Sequence, residues 1–319
     1  MKLIKWLSAA LIACTAAASL TAHASSGPEP EIIDEMWGNP ILAHGSALTA
    51  DQLQQTKNIF GLFADQPLDL VSVNGADMVR FLGSGNPNVN MFSSALITRG
   101  EPGTGVVVSI LTPDNITRVT ATQYANAMIT AGIADAVVQV ASPVRVTGES
   151  ALTGIYKAYE DRGTELDPER MAVAQEELQT TSSIANYHEG NDDFDSENLD
   201  QALIEIKATL ADFKYDEGEL ASDEQVQAVV QAALEQNDLA EILNGEQVQR
   251  LIGLAKRYQN TDAIFSQQVR DQLDSLANNL GNTLQNLRDA AEGSGVADAA
   301  RGFIGQLFEF FRNLFSRES

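Results

Sequence analysis

Ser94-Ala95-Leu96-Ile97-Thr98-Arg99-Gly100-Glu101-Pro102-Gly103-Thr104-Gly105-Val106-Val107-Val108-Ser109-Ile110 places two short apolar runs, rich in β-branched residues, around a turn dense in glycine. Runs of this length and composition predict strands, and their spacing predicts a hairpin with a long turn over 100–105. Upstream, Leu70-Val71-Ser72-Val73 before Asn74-Gly75 predicts another strand, and Thr49-Ala50-Asp51-Gln52 is a capping-box start for a helix ending near Phe63. Downstream, Thr122 is positioned to cap a helix through Ala131, Ala136-Val137-Val138-Gln139-Val140 reads as a strand, and a helix is expected over about Ser150–Asp161. Interleaved strands and helices on this scale predict an α+β (or α/β) domain with a mixed sheet over 49–162.

After Arg162 the periodicity is helical only. Asp167-Pro168-Glu169 is an N-cap followed by proline at the first helical position. Further helices are expected over Ser196–Phe213, Ser222–Gln236, about Gly245–Tyr258, and Asp262–Ala291. The last carries Val269, Leu273, Leu276, Leu280, Leu284 and Leu287 at helical spacing, a pattern that suits the seam of a small bundle. Residues 163–292 are thus expected to form an all-α helical domain, and 25–48, with Gly27-Pro28 and Asn39-Pro40, a linker with little regular structure.

The ends carry different signals. Lys2 and Lys5 precede an apolar run to Leu20, and Ala22-His23-Ala24 has the small-x-small form of a cleavage site. Residues 1–24 are therefore expected to be a secretory signal peptide cleaved after Ala24, leaving a protein that is secreted and works outside the cytoplasm. Leu11-Ile12-Ala13-Cys14 has the form of a lipobox, but the apolar run continues past Cys14. Because Cys14 is the only cysteine of the chain, cleavage after Ala24 would leave a mature protein without disulfides.

The chain holds 20 Lys+Arg against 44 Asp+Glu, a net charge of −24. Without Lys2 and Lys5 the balance becomes −26. A nucleic-acid partner is thereby excluded, since phosphate binding requires clustered basic residues.

Candidate chemistry is thin. His44 and His188 stand in no metal-ligand spacing, and no cofactor is expected. Gly148-Glu149-Ser150-Ala151 is not a nucleophile elbow, and Ser150 is expected to cap its helix. Gly83-Ser84-Gly85 and Gly103-Thr104-Gly105 lack the following Lys-Ser/Thr of a phosphate loop and read as turns. The acidic run from Asp192 to Glu197 offers a weak calcium candidate in Asp193, Asp195 and Glu197. Asn198 stands where an EF-hand needs glycine, and Ile204 where it needs the bidentate glutamate.

One family resemblance is specific. Asn74-Gly75-Ala76-Asp77, Ser93-Ser94-Ala95, Asn115-Ile116-Thr117, Tyr124 through Ile133, Ala141-Ser142-Pro143-Val144 and Gly148 through Ile155 resemble the YpuA-like secreted proteins of Gram-positive bacteria, domain of unknown function 1002. The resemblance implies export and a shared fold, and it supplies no catalytic residue. The preferred reading is a non-catalytic binding or cell-envelope interaction protein. The alternative is a secreted hydrolase whose site assembles in the α+β domain from dispersed polar residues such as Asn74, Asn115, Asn126 and Thr130.

Beyond Gly293-Ser294-Gly295, five of the 12 Phe lie between Phe303 and Phe315. On a helix, Phe303, Ile304, Leu307, Phe308, Phe310, Phe311, Leu314 and Phe315 fall within an arc of about 160°. Arg301, Arg312 and Arg317 lie on the other side. Such a face either docks on the helical domain or lies on the outer face of the cytoplasmic membrane or in the groove of an envelope protein. Each Phe or Leu buried in a bilayer would contribute about 1.5–3 kcal/mol. If the membrane reading holds, mature protein floats with liposomes and a chain lacking residues 296–319 does not; equal soluble fractions for the two would sink it.

Overall fold

The computed structural model describes residues 38–82 and 85–292, with side chains as far as Leu280. The proposed signal sequence with Ala22, Ala24 and Cys14, the turn residues Gly83 and Ser84, and the face from Phe303 to Phe315 lie outside the described residues.

Five strands form one mixed sheet: β1 Ile41–Gly45, β2 Asp69–Val73, β3 Ser94–Arg99, β4 Val106–Ile110 and β5 Ala136–Ala141, in the order β2-β1-β3-β5-β4. β1 and β2 are parallel, β3 is antiparallel to both β1 and β5, and β4 is parallel to β5. The expected hairpin between β3 and β4 does not exist. β5 lies between them, reached from β4 through helix α3 (Ala121–Thr130) as a parallel crossover. The turn is held from outside instead. Asp135, at φ +50°, accepts from the backbone N–H of Gly103 and Gly105 through its Oδ1, each at 2.9 Å.

β1 corrects the linker reading of 25–48. Ile41, Leu42 and Ala43 are buried because both faces of the strand are covered. A strand buried on both faces reads as a plain apolar run without alternation, and five residues between Pro40 and Ser46 give little signal. Gly45 is required there, since a Cβ would come within 2.1 Å of the Met91 carbonyl oxygen.

Helix α1 (Ala50–Ile59) carries the expected Thr49/Gln52 capping box but ends before Phe63. It and the following turn cover one face of the sheet through Phe60, Leu53 and Leu62 against Leu42, Leu96 and Ala141. The opposite face carries α3, α4 (Ser150–Asp161) and, beyond them, α2 (Gly75–Leu82) and α5 (Pro168–Tyr187). Helix α2 was not anticipated. Asn74 starts it: its Oδ1 accepts from the Ala76 and Asp77 N–H, while Asp77 Oδ2 accepts from the Asn74 N–H. The cap of α3 is Thr120, boxed with Gln123, two residues before the expected Thr122. Ser150 does not cap α4; its hydroxyl meets that of Ser93.

The remaining helices are α6 (Ser196–Glu217), α7 (Asp223–Gln236), α8 (Gly245–Gln259) and α9 (Gln267–Glu292), with a 3₁₀ turn at Asp262–Phe265 where a continuous helix was expected. Val269, Leu273 and Leu280 of α9 are buried and Leu276 is partly buried against the same core, as a bundle seam requires. Among the described residues no helix is long and apolar enough to cross a membrane.

Besides the small cluster under α1, two larger apolar cores result, and α5 belongs to both. Its Met171, Ala174 and Leu178 pack with the sheet and α4, whereas Val173 and Ile184 pack with α6 to α9. The junction contains an ion pair. Lys207 of α6 and Glu177 of α5 are buried, with side chains 1% and 2% exposed, at 3.0 Å. The Lys207 ammonium also donates to Thr130 Oγ1 and to the side-chain and backbone oxygens of Asn126 on α3. The ring of Tyr258 on α8 lies 5.3 Å away. Burial holds the Lys207 pKa below its ordinary value, opposed by Glu177. Removing one partner leaves the other charge buried and alone, so Lys207→Met should lose about 3–5 kcal/mol in urea unfolding. The double variant K207M/E177L should recover much of that loss. A single-variant loss under about 1 kcal/mol would remove the pair from its structural role.

Candidate functional site

The residues named for a dispersed hydrolase site do not converge. Asn74 caps α2, and Asn126 and Thr130 are consumed by Lys207. Asn115 donates through Nδ2 to the Ser142 carbonyl at 2.8 Å, while the Ser142 hydroxyl donates to the Val144 carbonyl. The other family-like residues tie knots as well. The Gly148 carbonyl accepts from the hydroxyls of Ser93 and Tyr124, and Gly148 sits at φ +106° where a Cβ would meet Ile116 and Tyr124 at 2.8 Å. These residues hold loops and helix ends in place.

What they hold in place is a cleft. The turn fixed by Asn115 and Ser142 lets Ile116 bridge Val146 in parallel, with Thr117 N–H to Val146 O and Val146 N–H to Asn115 O at 3.0 and 2.8 Å. Arg118 and Arg145 leave these paired segments as exposed side chains. Facing them is the turn from the end of α5 to the start of α6. Asp193 N–H donates to Asn191 Oδ1, and Asp195 Oδ1 accepts from the Glu197 N–H as the cap of α6. Arg118, Arg145, His188, Glu189, Asn191 and Asp195 are among the residues lining a cleft of about 600 Å³ between the two walls.

His188 is less available than its place suggests. The ring is stacked on Phe194 at 4.8 Å and 17°, and its Nε2 lies 3.1 Å from Gln247 Oε1. That oxygen also accepts from the Asn244 N–H, so the imidazole presents a proton to it. His188 thereby joins α5 to α8. Asp195 and Ser196 line the same cleft, but no hydrogen bond links them to His188, and the hydroxyl–carboxylate contact at its edge, Thr120 with Asp200, belongs to the cap of α3. Nor are Asp193, Asp195 and Glu197 brought together: among the described residues no three His, Cys, Asp or Glu form a group able to hold a metal ion.

Beneath the cleft lies a residue that the sequence reading missed. Asp200 of α6 is buried and accepts from Thr120 Oγ1 at 2.6 Å and Gln123 Nε2 at 2.8 Å, binding α6 to the capping box of α3. Burial pushes its pKa up to about 7 against the pull of these two hydrogen bonds, with Glu197 and Glu177 adding to the rise. Its only sequence signal is position: Leu199, Leu203 and Ile206 mark the buried face of α6, and Asp200 lies next to that stripe.

The family model described as "Protein of unknown function (DUF1002)" matches residues 44–276. The chain is 27% identical over 294 residues to the uncharacterized protein YpuA of Bacillus subtilis (strain 168), covering 91% of each chain. No solved structure matches it.

The raised pKa of Asp200 makes stability depend on pH with a definite sign. Between about pH 4 and 7 the folded state holds a proton that the unfolded chain releases, so this contribution is full at low pH and lost as pH rises to 7. At about 1.36 kcal/mol per unit, the loss across that window is of order 4 kcal/mol at most. Urea unfolding at pH 4.5 and 7.5 should show a smaller difference for Asp200→Asn than for the parent. Identical slopes would remove Asp200 as their cause.

Proposed function

Since the chain belongs to the DUF1002 family, whose description assigns no activity, we propose from its own geometry that it is an exported, non-catalytic binding protein of the cell envelope. The cleft between the Ile116–Val146 bridge and the α5–α6 turn is its ligand site. One observation carries the reading. Arg118 and Arg145, in a chain of net charge −24, enter no hydrogen bond or ion pair among the described residues, yet both line the same cleft. Among the described residues most other cations are committed, as in Arg80–Glu160, Lys157–Asp77 and Arg162–Asp69, and the unpaired Lys57, Arg99 and Arg250 do not line this cleft. The backbone that carries both arginines is pinned by side-chain hydrogen bonds, and their exposed guanidinium groups have their donors free for a ligand.

The commitment of His188 to Gln247, and of Thr120 and Asp200 to the cap of α3, favours binding over hydrolysis. Export is supported by the charged, apolar and small-residue order of residues 1–24. Protein collected from the envelope or medium of a Gram-positive host should begin at Ser25 by intact mass. Labelled with ¹⁵N and titrated with soluble cell-wall digest, it should show shifts confined to 116–120, 145 and 185–196, with the digest recovered chemically unchanged. Progressive cleavage of the digest would favour the hydrolase, and shifts elsewhere would move the site.

A further inference from the structure

The two walls of the cleft carry opposite charge. Arg118 and Arg145 stand on one, and Glu189 and Asp195 on the other. No ion pair crosses between them, so each arginine nitrogen lies more than 4.0 Å from the facing carboxylates. Both walls line one cleft, yet no ion pair joins their charges. The Glu189 side chain makes no hydrogen bond or ion pair among the described residues, and Asp195 uses one carboxylate oxygen on the Glu197 N–H. The separation is not a matter of loose loops. The arginine wall is fixed by the Ile116–Val146 bridge and the Asn115–Ser142 bond, and the acidic wall by the cap of α6 and by His188 between Phe194 and Gln247.

We propose that the cleft takes a short peptide with free termini, its carboxylate on Arg118 and Arg145 and its ammonium facing Glu189 and Asp195. The inference rests on the cleft being the ligand site. A purely anionic ligand would meet the two carboxylates, and a purely cationic one the two arginines; only a ligand carrying both charges satisfies both walls. Arginine offers the forked donors that suit a carboxylate, and the acid wall offers acceptors to an ammonium, which has donors only. Asn186 and Asn191, also at the cleft, add amide groups able to pair with a peptide backbone. A volume of about 600 Å³ suits a small ligand.

The test uses the mature chain, with trialanine, N-acetyl-trialanine, trialanine amide and inorganic phosphate as probes, read by calorimetry and ¹⁵N shifts. Trialanine should shift residues of both walls, and each blocked peptide should bind at least tenfold more weakly. Phosphate should shift only the arginine wall. R118A/R145A should abolish the response without changing the melting temperature, because neither side chain has a partner to lose. Glu189→Gln should bring trialanine and its N-acetyl form closer together in affinity. Equal binding of free and blocked peptides, or no response to trialanine while the cell-wall digest still shifts the cleft, overturns the peptide assignment and leaves the cleft as a ligand site. No response there to any probe or to the digest overturns both.

Discussion

The buried ammonium of Lys207 is the constraint around which the two cores are arranged. A charge taken out of water costs several kcal/mol unless a counter-charge and hydrogen-bond acceptors surround it. Here these come from separate elements: Glu177 from α5, Thr130 and Asn126 from α3, and the ring face of Tyr258 from α8. An apolar contact tolerates sliding by an ångström, whereas a hydrogen-bonded charge does not. The ion pair therefore sets how α6 is seated against the helices that cover the sheet. Arg170 of α5 adds to this by donating to the last carbonyls of α3, at Ile129 and Thr130.

The cleft is a consequence of that seating. Where α3 begins, its capping box is bound to Asp200 of α6, so the contact between the two cores is polar at that end. The elements part just above it, and the loop of 115–118 and the α5–α6 turn become facing walls. The same order of causes separates structural from available side chains. Lys207, Asp200 and His188 are occupied by the junction, and the side chains of Arg118, Arg145 and Glu189 are left unpaired at the cleft.

Local chemistry accounts for what was legible in the chain. Pro168 after Asp167, the helices expected near Ser222–Gln236 and Gly245–Tyr258, the bounds of α4 and the stripe of α9 as far as Leu280 all follow from interactions within four residues or from helical period, and they appear where expected. Errors arose where the deciding partner was distant. The turn over 100–105 looked like a hairpin because its true anchor, Asp135, lies 30 or more residues away. β1 looked like linker because its burial depends on β2, β3 and α1 rather than on its own pattern. Asn126 and Thr130 looked like free polar groups because their partners, Lys207 and Glu177, come from other helices, whereas Asn74 is a local cap whose partners Ala76 and Asp77 follow it directly.

By itself, then, the sequence determined the class of the protein: a mixed α+β part followed by helices, a strongly acidic composition, and a resemblance that proved to be family membership. These rest on period, composition and motif, which are properties of neighbouring residues. Tertiary structure alone decided that β5 separates β3 from β4, that α5 serves two cores, and that Arg118 and Arg145 share one cleft. Each of these is a pairing between residues far apart in the chain. Such pairings are selected by burial and by the need to satisfy polar groups in the folded whole, and no local pattern records them.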